Sequence, residues 1–240
     1  MSFREFIQRR EVPYVAMAVI AVVASCVALL HPMGALDTFM RYAPMADAFS
    51  KGDWVNAFHP RFGVGFQALS GSLTWLTGLD GYRSCTVVST LLWAACLFPL
   101  FRLADALFGR TAAWFALALF VICPQTLVWS FKGFRESAKM LGVLLAVDAL
   151  VRWKSGTWRV ALEGALALVF LFLFKVDTAA MGLLFAAAYL FLDRFRLRSI
   201  VACGTGLLSL QAMCALVYSW TGWWLPAVQY IPLVKRLIGG

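Results

Sequence analysis

The chain has 240 residues, of which 62% are hydrophobic and 14% are charged, and its formal net charge is +9. A water-soluble domain is about half apolar and a quarter charged, so this composition excludes one. The cations separate apolar runs and form neither a basic face nor a stacking platform, which argues against nucleic acid as a partner.

The N-terminal segment, residues 1–11, is basic and precedes the apolar run Val12–Leu30. This run is longer than the apolar part of a usual signal peptide, and no A-x-A exit follows it. We therefore expect an uncleaved signal anchor, with residues 1–11 forming an amphipathic segment in the cytoplasm.

Seven further apolar runs follow along the chain. They cover residues 63–79, 85–108, 111–131, 137–151, 160–174, 178–192 and 199–220. In lipid, a single segment can satisfy its own backbone polar groups only as a helix, so we predict an all-α polytopic membrane protein. Run 63–79 is the weakest candidate, because glycine, serine and threonine dilute it.

The positions of the cations decide how many runs cross the membrane. If run 63–79 crosses, Arg102, Arg110 and the cations of residues 152–159 face outside, against the positive-inside rule. If it lies flat, these cations all fall in the cytoplasm. We therefore predict about seven transmembrane helices within residues 12–220 of an inner (plasma) membrane protein with a cytoplasmic N-terminus. Residues 221–240 are aromatic and basic, and we expect an interfacial tail.

Two polar connections, residues 31–83 and 130–139, then lie on the outer face. A connection as long as the first one is usually functional. Within it, apolar residues recur at helical spacing, namely Phe39, Tyr42, Ala43, Ala46 and Phe49. This pattern predicts an amphipathic helix that lies on the outer leaflet.

Asp37 stands at the start of that helix and therefore at the membrane surface. A carboxylate in this place is a candidate catalytic group. The alternative is a structural one, because Asp37-Thr38 before a helix is also typical of an N-terminal cap.

Several cations share the predicted depth of Asp37. They are Arg41, His59, Arg61, Lys132, Arg135 and Lys175. Their alternative role is contact with anionic headgroups. Lys175 and Asp177 lie between two very apolar runs with almost no loop, where ionisable residues indicate a site, although a simple ion pair would also explain them. The six cysteines lack C-x-x-C spacing, and we interpret them as packed apolar residues.

These residues carry a resemblance to a known family. They are Asp37 with Arg41-Tyr42-Ala43, Gly52-Asp53-Trp54, His59-Pro60, Leu107-Phe108-Gly109-Arg110 before an Ala-rich run ending at Pro124, Arg135-Glu136, and Lys175 after an apolar run. In this order the chain resembles the GT-C glycosyltransferases, which use polyprenyl-phosphate sugars and include protein mannosyltransferases and aminoarabinose transferases.

The resemblance implies a module of seven helices with a long first outer loop. It implies that Asp37 is the catalytic acid of the first loop and Glu136 the acid of the second. His59 and Arg61 match positions that bind the lipid phosphate. Glu136 lacks the paired acid of metal-using members, so a divalent cation stays an open question.

The expected activity is an inverting transfer of a sugar from a polyprenyl-phosphate donor to an envelope acceptor at the outer face. The donor phosphate is a good leaving group, so the site needs cations for the developing charge and one carboxylate base for the acceptor hydroxyl. The substrate-binding set comprises Arg41, Tyr42, His59, Arg61, Lys132, Arg135 and Lys175.

A second hypothesis stays open beside this one. The chain ends near the minimal module, which also fits a non-catalytic membrane subunit or a polyprenyl-lipid-binding protein of an envelope assembly, or a transferase whose acceptor site a partner subunit supplies. A transporter is less favoured, because it should place ionisable groups at broken helices near the midplane, whereas here the charges lie at helix ends.

Overall fold

The computed structural model describes residues 11–33, 35–58, 64–153 and 158–174, and all regular structure in these ranges is helical. The elements are α1 (Val12–Leu30), a π-helical turn (Thr38–Tyr42), α2 (Ala43–Ser50), α3 (Trp54–Ala57), α4 (Val64–Thr77), α5 (Gly81–Phe108), α6 (Arg110–Ile122), α7 (Pro124–Phe131), α8 (Glu136–Arg152) and α9 (Trp158–Phe174).

Two of the described helices, α1 and α5, are long and apolar enough to cross a membrane. α1 has 19 residues, which corresponds to about 28 Å, close to the thickness of the hydrocarbon core. Its outward face is apolar, with Val15, Val19 and Val22 exposed, whereas Met17 and Ala24 pack against α5. An exposed apolar face on a long helix is what lipid requires, so the chain is consistent with a membrane protein.

Run 111–131 does not form the single helix that its composition predicts. The helix breaks at Cys123, and α6 and α7 meet at an angle of 55°. Pro124 explains the break, because proline has no N–H to donate and is favoured in the first turn of a new helix. Thr126 Oγ1 donates to the Phe120 carbonyl at 2.9 Å, which satisfies one acceptor at the end of α6.

The number of membrane spans stays a prediction. Counting the bent pair α6–α7 as one span gives up to three candidates in the described residues. α8 and α9 have 17 residues each, and runs 178–192 and 199–220 lie outside the described residues. α4 has 14 residues, or about 21 Å, which is shorter than the hydrocarbon core.

α5 is the central helix, in contact with α1, α2, α4, α6, α7 and α8. Towards its C-terminal end, Leu97 and Phe101 pack with Met17, Ala113 and Leu117. Towards its N-terminal end lies a second core, formed by Tyr42, Ala46, Phe66, Cys85, Val88, Ala138 and Phe174. The second core joins Tyr42 and Ala46 of the first polar connection to α4, α5, α8 and α9.

α5 and α6 are joined by a single residue. Gly109 has a φ of +86°, a conformation that glycine adopts without the strain that other residues incur. Arg110 follows at once, pairs with Asp105 at 3.1 Å, and lies 4.7 Å from the centre of the Phe101 ring. The two helices therefore form a tight hairpin.

Opposite charges cluster where the C-terminal part of α5 meets α8 and α9. The buried Asp148 bonds to the guanidinium groups of both Arg102 and Arg152, and Arg152 also pairs with Glu163. Arg102 lies 21 residues after Gly81, the first residue of α5, which is about 32 Å along the helix. The cluster is therefore separated from the N-terminal end of α5 by about the thickness of the hydrocarbon core.

Candidate functional site

The candidate site begins with the helical segment that follows α1. The chain is helical from residue 36 to residue 50. Asp37 itself has helical backbone angles and its side chain makes no capping hydrogen bond, so the capping alternative is wrong. Instead its carboxylate pairs with Arg41 at 3.6 Å, and both side chains are more than half exposed.

Pro44 changes this helix locally without ending it. A proline at this position cannot donate an N–H, and its ring crowds the carbonyl four residues earlier. The chain accommodates it by widening the preceding turn, so that the Ala43 N–H bonds to the Thr38 carbonyl five residues back. The wider turn directs Thr38 and Tyr42 together into the protein, where both are buried.

The inward face of the segment differs from the prediction. The helical spacing predicts that Tyr42, Ala43 and Ala46 face the outer leaflet, but in the structure they pack against protein, and Phe39 lies on a different, exposed face. The π-helical turn at Thr38–Tyr42 changes the helical spacing and separates Phe39 from that face. Periodicity also does not distinguish lipid from a protein core, because both are apolar.

The second polar connection, predicted as residues 130–139, is shorter than predicted. α7 ends at Phe131 and α8 begins at Glu136, so only residues 132–135 lie outside helices. The turn depends on Gly133, whose φ is +70°, and a Cβ there would lie 3.0 Å from Thr38 and 3.1 Å from the backbone of Thr86. This close approach docks the turn against the first outer connection.

Hydroxyl groups hold the two connections together. Thr38 Oγ1 donates to the Lys132 carbonyl. From α5, Ser89 Oγ donates to the Phe134 carbonyl at 2.7 Å and lies 3.1 Å from the hydroxyl of Ser137. Ser89 is eight residues after Gly81, the first residue of α5, about 12 Å along the helix, so the turn at 132–135 is recessed below the N-terminal end of α5.

Tyr42 lies at the centre of the charged groups. Its side chain is buried, and burial raises its pKa to about 12. The charges of Arg135, Glu136, Asp37 and Arg41 all act on its phenol, the carboxylates raising the pKa and the guanidinium groups lowering it. The phenol is therefore neutral near pH 7 and remains a hydrogen-bond donor.

The structure thus brings together six of the nine predicted site residues from two distant parts of the sequence. They are Asp37, Arg41, Tyr42, Lys132, Arg135 and Glu136. Glu136 pairs with Lys139 at 2.5 Å, and both side chains are mostly buried. Of the two acids, Asp37 is the more accessible.

The other three predicted residues, His59, Arg61 and Lys175, lie outside the described residues. The described residues beside them are close together, because a Cβ on Gly65 would lie 3.0 Å from the Phe174 ring. Phe174 also belongs to the same core as Tyr42.

Sequence reasoning missed Asp47. Its Oδ1 accepts a 2.7 Å hydrogen bond from the N–H of Gly81, the first residue of α5. A carboxylate at a helix N-terminus satisfies an orphan donor and complements the helix dipole. Asp47 and Gly81 are 34 residues apart, so no local sequence signal links them. By contrast, Asp80 directly before the apolar run of α5 is a local signal for an N-terminal cap.

The described residues contain no group of three histidine, cysteine, aspartate or glutamate side chains that could hold a metal ion. Chemically, the arrangement offers one accessible carboxylate, a neutral phenol donor and several cations, which is an inventory suited to an anionic substrate.

Comparison with known proteins adds no assignment: no protein-family model, curated protein or solved structure matches the chain.

Proposed function

We propose that the protein is an inverting glycosyltransferase that moves a sugar from a polyprenyl-phosphate donor to an envelope acceptor at the outer face of the inner membrane. The proposal includes the seven-helix topology with a cytoplasmic N-terminus. The observation that carries it is the convergence of residues 37–42 and 132–136 around Tyr42.

In this proposal Asp37 is the base that accepts the proton of the acceptor hydroxyl. Its pairing with Arg41 does not prevent this role, because an exposed ion pair contributes about 1 kcal/mol or less and is easily exchanged for a substrate. Glu136 is less available, since it is more buried and more closely paired. We therefore assign the base to Asp37 and an orienting role to Glu136.

Cations and the phenol serve the leaving group. Arg135 and Lys132 lie on the recessed turn, where a partly dehydrated environment strengthens their attraction to a phosphate. Tyr42 donates a neutral hydrogen bond. His59, Arg61 and Lys175 are proposed to complete the phosphate site, as the family resemblance implies.

A second candidate is a non-catalytic polyprenyl-lipid-binding subunit of an envelope assembly. The observation that favours it is that both acids already have cationic partners, Arg41 and Lys139. A site that only binds phosphate would use carboxylates in this way, to orient cations.

The test is Asp37→Asn in reconstituted protein supplied with polyprenyl-phosphate sugars and an acceptor. The change is nearly isosteric and removes the base, so we expect transfer to fall about 100-fold or more, with donor binding retained. Asp80→Asn is the matched control, because Asp80 pairs with Arg83 at the same 3.6 Å and is similarly exposed. Asparagine also preserves the cap that Asp80 provides.

Equal losses in both variants, or undiminished transfer in Asp37→Asn, would remove Asp37 from the reaction. Polyprenyl-phosphate binding without transfer, in the unmodified protein and with every donor tried, would support the second candidate instead.

A further inference from the structure

The segment 36–42 has three distinct faces. Thr38 and Tyr42 are buried in the protein, and Asp37 and Arg41 form an exposed ion pair. The third face consists of Leu36, Phe39 and Met40, which are 75%, 67% and 66% exposed. Their i, i+3, i+4 spacing makes one continuous apolar strip on the helix.

The neighbours of this strip place it at the edge of the membrane. Only five residues separate Leu30, the end of α1, from Leu36, a distance of about 20 Å at most. On the other side, the Phe39 ring lies 6.1 Å from that of Tyr82 in the first turn of α5. The strip therefore lies next to the outer ends of both helices that are long enough to span the bilayer.

We propose that Leu36, Phe39 and Met40 insert among the phospholipids of the outer leaflet and hold the Asp37–Arg41 pair at the level of the headgroups. The occupant of the strip is bulk membrane lipid. This inference does not depend on the proposed transferase activity, since it rests on exposure and position alone.

Continuity with α1 favours lipid over a protein partner. The exposed side chains of α1, including Val22, Val23 and Leu30, form an apolar surface that ends just before the strip begins. A short helix with an apolar strip beside an exposed ion pair has the form of an interfacial helix, whose charges remain in the headgroup layer while its apolar side enters the acyl region.

The experiment uses a benzophenone amino acid in place of Phe39, and separately of Met40, in the full chain. The protein is reconstituted in vesicles of phosphatidylethanolamine and phosphatidylglycerol and irradiated, and adducts are identified by mass spectrometry. Asp53 is the control position, because its side chain is exposed on the same outer connection and caps α3 in contact with Asn56.

We expect lipid adducts at positions 39 and 40 to exceed those at position 53 several-fold. Because benzophenone closely resembles phenylalanine in shape, position 39 should fold normally, and position 40 provides an independent reading. Lipid labelling no greater than at position 53 would overturn the proposal. Preferential crosslinking to a second polypeptide in native membranes would overturn it as well, and would identify the strip as a protein interface.

Discussion

At the scale of single residues, Tyr42 is the group whose environment differs most from water among the described site residues. It is 6% exposed and its ring meets that of Phe66 edge-on at 5.6 Å. Burial disfavours the phenolate and raises the pKa of Tyr42, while the nearby guanidinium groups lower it and the nearby carboxylates raise it. The residue is therefore suited to donating a hydrogen bond rather than to accepting a proton.

The first prediction concerns the proton of Tyr42. Its pKa is raised from 10.0 to about 12 in the folded chain, so the folded state retains a proton that the unfolded state releases. Tyr42 should therefore contribute stability in full below pH 10 and lose it as the pH rises towards about 12. We expect the unfolding free energy of the wild type, measured against that of Tyr42→Phe, to fall across this window.

Alkaline titration of the phenolate absorbance provides the check. One tyrosine that titrates near pH 12 should be present in the wild type and absent from Tyr42→Phe. Identical titration curves above pH 10 would contradict the buried placement of this phenol.

At the scale of elements, the start of α5 is where the first polar connection, residues 31–83, packs against that helix. Asp80 caps the helix by accepting from the Arg83 N–H at 2.7 Å, and Asp47 reaches the Gly81 N–H from α2. Gly81 is required for this contact, because a Cβ there would lie 2.3 Å from the Ala43 carbonyl oxygen.

The second prediction follows from that close approach. Gly81→Ala should destabilise the protein by about 1 to 3 kcal/mol, because a backbone oxygen must move to admit the methyl group. Gly164→Ala is the control, since its nearest neighbour would be a side-chain carbon at 3.5 Å and alanine favours a helix interior. Thermal unfolding in detergent should lower the transition temperature of the first variant alone, and equal effects would argue against the α2–α5 contact.

Sequence reasoning predicted part of this architecture. Apolar runs correctly predicted α1 and most of α5, and the helical spacing after Asp37 predicted a helix. Which face of that helix packs against the protein was not predictable, because Tyr42 packs on residues such as Phe66 and Ala138 that are far away in sequence. The break at Cys123 had a signal in Pro124, where the family resemblance already ends the Ala-rich segment, whereas hydropathy averaged over residues 111–131 indicated one continuous run.

At the scale of the whole molecule, charge is distributed differently at the two ends of α5. Near its N-terminus the ion pairs Asp37–Arg41 and Asp80–Arg83 are exposed, whereas Arg102, Asp148, Arg152 and Glu163 form one connected and partly buried network. Counting cations predicts a side of the membrane for Arg102 and Arg152, which stays a prediction. It could not predict their pairing, since the positive-inside rule takes no account of acidic partners.

The third prediction tests the predicted orientation. Residue 155 lies outside the described residues, between α8 and α9, and the seven-helix topology places it in the cytoplasm. Ser155→Cys should therefore resist a membrane-impermeant thiol reagent in intact cells and react after permeabilisation, with the unmodified chain as the blank. Asp53→Cys should react in intact cells. Reaction at position 155 before permeabilisation would reverse the assignment of the two faces.

The single-residue connection at Gly109 has a consequence for biogenesis. α6 has only 13 residues, about 20 Å, which is too short to enter a bilayer stably by itself. Because only Gly109 separates α6 from α5, we expect α6 to enter the translocon together with α5 and not after α5 has partitioned into lipid. We therefore expect the two helices to leave the translocon as one hairpin, and the proposed topology then keeps the charge of Arg110, at its tip, on the side of synthesis.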